Sequence, residues 1–403
     1  MKKKIVIAGS LDTKGEEYAF LKCLIEEQGL ETLVVDFGVM GEPTFSPEIT
    51  RQVVCQAGGG EITDFASGQN KDEAMRIMTD GLKVVIRRLF DEGKLDGIIG
   101  MGGGGGTSLI TAAMRELPVG VPKVMVSTLG GGDISAFAGT RDITFMPSVV
   151  DVAGFNRISS TIYTNAAGAI AGMVRMEKQK DNQDRPLVAA SMFGNTTIAV
   201  DRARKILEAR GIEVLVFHAT GSGGRTMEDL IRDGYISGSL DITTTELADE
   251  VCGGVLSAGP ERCLAASRAA IPAVLVPGCV DMANFWSLET VPEKYRSRNL
   301  FQWNPNVTLM RTNCEENMRI GGMIASAANA SSAPVSILIP LKGFSQLDSP
   351  GGKFWDPQAD ESCIEAIRQN LNPGIPVIEI DNNVNDPEFA DKAAETLLEM
   401  LKR

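Results

Sequence analysis

Five consecutive glycines, Gly102 to Gly106, stand between a short apolar run, Gly97 to Gly100, and the apolar-periodic start of a helix from Leu109. Thr107 and Ser108 follow the glycines directly. A strand, a bare glycine turn, hydroxyls and then a helix is an arrangement that brings an anion against main-chain N–H groups at a helix N-terminus. Glycine supplies the positive φ angles such a turn is expected to need and lets a ligand approach the backbone. The stretch lacks the lysine of a GxxxxGK[ST] loop. Gly100-x-Gly102-x-x-Gly105 fits GxGxxG, but no acid closes the next strand about 20 residues on, so a nicotinamide dinucleotide is not favoured.

Other chemistry-bearing residues fall at the ends of strand-like runs. Asp12, Thr13 and Lys14 follow Ile5 to Ala8, and Lys14 is expected to supply a positive charge to a phosphate. Asp36 closes a second run, where a carboxylate accepts hydrogen bonds from ribose hydroxyls. Thr128 and Gly130 lie in the loop after Lys123 to Val126. These residues, with Gly102, Gly103, Gly104, Gly105, Gly106, Thr107 and Ser108, form the expected nucleotide-binding set. His218, the single histidine, ends a strand pattern and opens a Gly-rich loop, a place suited to acid–base work. Lys342 lies in the long loop Ile339 to Gly352, which mixes a lysine, a carboxylate and hydroxyls as binding loops do. His218 and Lys342 are the expected catalytic pair. Cys279 is a weaker nucleophile candidate, since nothing near it in sequence lowers a thiol pKa, and Thr245 reads as a helix cap.

Positioning these loops requires strands alternating with helices. Lys3 to Ala8 reads as a buried strand, 15–28 as a helix, Glu31 to Asp36 as strand two, 38–68 as irregular, and 71–90 as a long helix. Such alternation implies a parallel sheet with right-handed crossovers. A polar stretch, Lys178 to Pro186, precedes a restart of the pattern. Ile5 to Asp36 aligns without a gap on Leu187 to His218 at an offset of 182 residues, with Gly29 on Gly211, Ile25 on Leu207 and Asp36 on His218. A weaker match sets Val124–Ser127 on Val274–Pro277, and Ser257–Pro260 reads as a faint counterpart of the glycine run. The expected fold is α/β: two Rossmann-like, doubly wound parallel-sheet domains, 1–180 and 186–403, facing across a cleft.

A formal charge of −13 argues against nucleic acid or an anionic membrane as partner. No apolar run approaches the roughly 18 residues of a membrane span, and the basic N-terminus lacks a signal-type apolar stretch. Seven scattered cysteines without a CxxC pair support neither a disulfide framework nor a zinc knuckle. A reduced, cytoplasmic location follows as the expectation. One histidine excludes a His-rich metal site, while a carboxylate-bound Mg²⁺ accompanying a nucleotide stays open.

With these residues in view, the chain resembles the tomato-mosaic-virus resistance protein-like ATP-binding domain family and its uncharacterised bacterial and fungal relatives. The matching pieces are Gly9–Glu17, Met101–Ser108, Val216–Gly221, Asp281–Phe285, Pro340–Gly343, Phe354–Pro357 and Asn385–Ala390, in order along essentially the whole chain. The resemblance implies a two-domain Rossmann-like protein that binds ATP and forms homodimers. Longer members carry an additional TIM-barrel domain, absent from this sequence. The plant protein's antiviral activity is a specialised use of the fold and does not transfer.

Three readings remain at this level. The first is a nucleotide-dependent enzyme acting on a small polar substrate near His218 and Lys342, by phosphoryl transfer or hydrolysis. The second is a nucleotide-responsive binding protein without turnover. The third is a sugar-nucleotide enzyme.

Overall fold

The computed structural model describes residues 2–65, 71–177 and 185–402. The polar stretch expected at 178–186 lies, through residue 184, outside the described residues, as do 66–68. The chain divides into two compact units, Met1–Lys180 and Asp181–Arg403.

Unit 1 is built on β1 (Lys4–Gly9), β2 (Glu31–Asp36), β3 (Gly97–Gly102), β4 (Lys123–Ser127) and β5 (Thr144–Pro147), all parallel in the order β2-β1-β3-β4-β5. The strands read as continuous apolar runs because both faces are covered. Ile5 and Ile7 point into a core shared with the helices Leu11–Glu27 and Arg157–Arg175. Val6 and Ala8 point the other way, toward Lys71–Asp91 and Gly104–Met114. The stretch expected to be irregular contains a helix, Arg51–Ala57, and a 3-10 turn, Ile62–Phe65. The first helix begins four residues earlier than expected, with Lys14 in non-helical conformation (φ −135°, ψ 25°).

Unit 2 contains β6 (Leu187–Met192), β7 (Glu213–His218), β8 (Gly238–Thr243), β9 (Ala273–Gly278), β10 (Met282–Phe285), β11 (Leu300–Asn304), β12 (Val307–Arg311), β13 (Val335–Pro340) and β14 (Val377–Ile380). Six of them form a parallel sheet, β14-β13-β9-β8-β6-β7. The other three form an antiparallel sheet, β10-β12-β11, that the sequence reading did not anticipate.

Read from the β2 and β7 edges, the two parallel sheets share one order over five strands, β2-β1-β3-β4-β5 against β7-β6-β8-β9-β13. The 182-residue offset carries into geometry. Gly29 and Gly211 end their helices with φ of 76° and 79°, each donating to the carbonyl three residues back. Strand β4 corresponds to β9, as the weaker sequence match has it. The strand after which the glycine run falls, β3, corresponds to β8, so its counterpart is Thr243–Glu246 and not Ser257–Pro260.

Candidate functional site

In unit 1 the glycine run is the end of β3 and the first turn of an eleven-residue helix, Gly104–Met114, with Gly103 as N-cap (φ −79°, ψ −164°). None of Gly102–Gly106 has positive φ, contrary to the sequence expectation. Nor does packing demand glycine at 103–106, where an added Cβ would meet nothing closer than 3.6 Å. What the run removes is side-chain cover. The helix's first internal bond is Thr107 N–H to Gly103 O at 2.8 Å, so the N–H groups of Gly104, Gly105 and Gly106 precede it. Gly103 has no side chain with which to cap them. At three other helices such groups are filled from within: Asn156 and Asn313 close capping boxes, and Asp356 accepts from Ala359 N–H.

The remaining expected nucleotide residues divide sharply. Gly104, Gly105, Ser108, Thr128 and Thr13 are exposed beside this edge of their own sheet, and Gly130 is half-buried. Thr107 is fully buried, its hydroxyl 2.7 Å from that of Ser127, which also accepts Leu129 N–H. That pair ties β3 to β4, so Thr107 is structural and does not face a ligand. Asp36 is likewise fully buried; one oxygen accepts Leu11 N–H at 3.0 Å and Gly38 N–H at 2.9 Å. Burial pushes its carboxyl above the usual range, and it cannot reach a ribose without unpacking. Asp12 accepts Met40 and Gly41 N–H at 2.7 and 3.1 Å, holding the loop after β2. Lys14 spends its ammonium on the carbonyl of Val152. Its charge is committed within the fold and is not free for a phosphate, contrary to the expectation from sequence.

In unit 2, His218 is exposed on the wall of a pocket of about 560 Å³ formed wholly by that unit. Phe193, Trp286 and Trp303 give it aromatic walls, and Leu256, Val307 and Leu309 an aliphatic base. The Phe193 ring packs on the His218 ring at 5.5 Å between centroids. Thr220, Ser222, Asn304 and Asn195 add neutral polar groups. Asn195 is 2% exposed and its Oδ1 has no hydrogen-bond partner, while Nδ2 makes only a 3.6 Å contact to Met282 Sδ. An unpaired buried amide oxygen costs about 1–3 kcal/mol.

The turn that carries His218 is fixed by a buried ionic cluster. Ser222 N–H donates to Thr220 O around Gly221, whose φ of 79° requires glycine. Glu246 Oε1 accepts Gly221 and Gly224 N–H at 2.7 and 3.0 Å, filling the N-terminus of the helix Ser222–Arg232. A Cβ at Gly224 would collide with that carboxylate. Glu246 in turn accepts from Arg262 Nε at 2.6 Å, and Arg262, fully buried, also reaches Asp241 at 2.5 and 2.7 Å and Glu228 at 3.1 Å. Burial pushes the Glu228 carboxyl up despite Arg262 beside it. Thr245, expected as a cap, is instead the first residue of its helix, and its hydroxyl donates to Met282 O at 3.2 Å. Nothing in local sequence marks Arg262 as the hub; its role arises from partners 16 to 34 residues away.

Lys342 does not join His218. It lines a smaller pocket of about 360 Å³ with Gln346, Asn383 and Asn385, and pairs with Asp381 at 3.0 Å on the surface. Strands β13 and β7 stand four strand spacings apart in the sheet, about 19 Å at roughly 4.8 Å each. The expected catalytic pair is therefore two separate places. The Lys342 loop is rigid: Asn383 Nδ2 reaches the carbonyls of Lys342, Gly343, Ser345 and Asp348 at 2.9 to 3.2 Å.

Cys279 is fully buried, and burial raises its thiol pKa far above the range of a reactive cysteine. Nearby, Arg311 faces Asp360 at 2.5 Å and Asp348 at 3.7 Å, and Asp281 accepts the Ser345 hydroxyl at 2.9 Å. Burial, reinforced by Asp348, pushes Asp281 up to about 7 and Asp360 up to about 8. Among the described residues no group of three or more His, Cys, Asp or Glu is arranged to hold a metal ion, and no helix is long and apolar enough to cross a membrane.

Comparison with known proteins bears on both units. The N-terminal domain of the family described as "Uncharacterised protein family (UPF0261)" matches residues 3–179, and its C-terminal domain matches residues 185–401. A UPF0261 protein of Clostridium tetani is 48% identical over 404 residues, covering 100% of both chains. The ToMV resistance protein Tm-1(GCR237) of Solanum lycopersicum is 42% identical over 349 residues, 85% of this chain and 46% of the tomato protein. Among solved structures, a UDP-GlcNAc 2-epimerase of Methanocaldococcus jannaschii, in complex with UDP-GlcNAc and UDP, aligns over 98% of this chain and 92% of its own at 10% identity. The TM-score of that alignment is 0.21.

Proposed function

The chain belongs to the uncharacterised protein family UPF0261, and we propose that this member is a nucleotide-binding protein. The phosphates of ATP or a related nucleotide would rest on the first turn of the Gly104–Met114 helix. The observation that carries this reading is the bare N-terminus itself: three consecutive N–H groups without side-chain cover, on an edge where Ser108 and Thr128 add exposed hydroxyls. Partial positive charge at a helix N-terminus favours an anion there. A Mg²⁺ would come with the phosphates, held by them and by water. Thr107, Asp36 and Asp12 serve this site by shaping it, and Lys14 by anchoring the Val152 segment.

The test is thermal unfolding of the full chain with ATP, with and without Mg²⁺, in the native protein and in Gly104→Val. A ligand at a hundred times its Kd adds about 2.7 kcal/mol, or roughly 5–10 °C at about 2–4 °C per kcal/mol. ATP should raise the native midpoint and leave Gly104→Val unmoved, the variant itself remaining folded. A shift that survives the substitution puts the phosphates elsewhere. Single-turnover assays with labelled ATP then separate an enzyme, which releases or transfers phosphate, from a nucleotide-responsive binder, which returns ATP intact.

A further inference from the structure

We infer that unit 2 carries a binding site of its own, the His218 pocket, for a neutral polyhydroxylated ring of the sugar class. It stands independently of the nucleotide reading, since every residue of its wall lies in unit 2. Three observations converge on it.

The first is the composition of the wall. Aromatic faces from Phe193, Trp286 and Trp303 alternate with the neutral hydrogen-bonding groups of Asn195, Thr220 and Ser222. Carboxylates, lysines and arginines are missing from the lining. A phosphate would find no lysine or arginine there, His218 being the one titratable group of the lining, and an amine would find no anion. A sugar ring presents what such a wall complements: an apolar face of C–H groups for aromatic rings, and a rim of hydroxyls that donate and accept.

The second is Asn195 Oδ1, an acceptor buried without a partner on this wall. Its main-chain carbonyl is held by Gln346 N–H at 3.1 Å and Asn385 Nδ2 at 2.8 Å, so the residue is fixed in place while its amide oxygen is unused. A ligand hydroxyl would satisfy it, and buried polar atoms left open in this way call for such an explanation.

The third is the state of the tryptophans. Trp286 and Trp303 are 51% and 46% exposed, although large aromatic side chains are usually far more buried. Trp303 stands on the hairpin formed by β11 and β12, and Trp286 directly follows β10, so the added antiparallel sheet exists in part to present them. The volume of about 560 Å³ admits a monosaccharide with its first substituent.

Tryptophan fluorescence of the full chain tests this, titrated with glucose, N-acetylglucosamine, UDP-glucose, UDP, uridine and adenosine to millimolar concentration. Either free sugar, or UDP-glucose well above UDP, should change the emission saturably; the first result assigns a free sugar and the second a sugar carried on a nucleotide. Asn195→Ala should weaken that ligand by about tenfold, the worth of one hydrogen bond to a buried acceptor, while leaving the melting midpoint unchanged or higher. Trp303→Ala should weaken it with the fold intact by circular dichroism. The inference is overturned if no sugar-bearing probe binds, if UDP, uridine or adenosine binds as well as the sugar-bearing probes, or if affinity survives both substitutions. Gly104→Val should leave this response unaltered, so a failure here and a failure of the unit 1 site are read separately.

Discussion

The Glu246 carboxylate lies 2.7 Å from the main-chain N–H of Gly221, which attaches the buried cluster around Arg262 to the turn immediately after His218. The same carboxylate takes Arg262 Nε and Gly224 N–H. One side chain therefore caps a helix, pairs with a buried guanidinium and pins the turn that follows the pocket's histidine.

Removing that carboxylate leaves Arg262 with Asp241 and Glu228 but takes the acceptor from its Nε and from the Gly221 and Gly224 N–H groups. Glu246→Ala should destabilise unit 2 by about 1–3 kcal/mol for each of these buried donors left unpaired. Denaturant unfolding measures the loss. Hydrogen exchange should show the helix Ser222–Arg232 deprotected first; uniform exchange across unit 2 would mean the cluster does not govern this turn.

The glycine helix makes the opposite prediction. An alanine Cβ at Gly105 would meet Met75 at 3.6 Å, an ordinary contact, and alanine is favoured over glycine in a helix by up to about 1 kcal/mol. Gly105→Ala should raise the midpoint of unit 1 while reducing ATP affinity. A variant that binds ATP as before would show that the bare turn serves some purpose other than ligand approach.

Thr107→Val should do the reverse. It removes one hydroxyl from the Thr107–Ser127 pair at a cost of about 1 kcal/mol, and the Kd for ATP should stay within about twofold, below the 1.4 kcal/mol that each tenfold represents. A large loss of affinity at unchanged stability would restore Thr107 as a ligand contact.

Acid–base linkage sets a further expectation. The carboxyls of Asp249 and Asp281 are pushed up to about 7 and that of Asp360 to about 8, chiefly by burial, from the ordinary aspartate value of 3.8. Between about pH 4 and 8 the folded chain keeps protons that the unfolded chain has released, so these groups make stability fall as pH rises. Carboxyls lowered by ion pairing, such as Glu316 beside Arg298, act below their ordinary value and do not oppose this. Unit 2 should resist urea better at pH 5.5 than at pH 8, and Asp360→Asn should flatten that slope. Stability increasing across the same interval would contradict protonated carboxyls in this core.

What could be read from sequence followed range. Strands β1 to β4, the helices around them and the 182-residue repeat were legible because apolar runs and helix-ending glycines are local signals; Gly29 and Gly211 adopt the left-handed conformation that the alignment implies. The helix Arg51–Ala57 was hidden among Pro47 and Gly58–Gly60, whose turn chemistry masked it. The antiparallel sheet did leave a trace. Asn304-Pro305-Asn306, between two strand-like runs, is a hairpin signal, and Asn306 N–H indeed bonds Asn304 Oδ1 at 2.8 Å. The site was less legible. Which glycines, threonines and carboxylates face outward depends on non-local contacts: Thr107 on Ser127, Asp36 on Leu11, Lys14 on Val152. Spacing alone could not separate a buried hydroxyl at 107 from an exposed one at 108, nor reveal that three strands stand between His218 and Lys342.

The wall of the His218 pocket has a bearing on how the chain comes to fold. Asn195, which holds the pocket's open acceptor, is secured by Asn385, 190 residues downstream. The helix Thr197–Glu208 shares its apolar face with Pro387–Leu401, through Val200 and Leu207 against Phe389 and Leu397. The first helix of unit 2 thus waits for the last. At about 5–20 residues per second of synthesis, the interval is some 10–40 s, during which the Ile206 and Val200 surface stays uncovered while unit 1, whose contacts close sooner, is already complete. Nascent chains arrested after Asn370 should be cut by protease throughout unit 2 and resist it in unit 1.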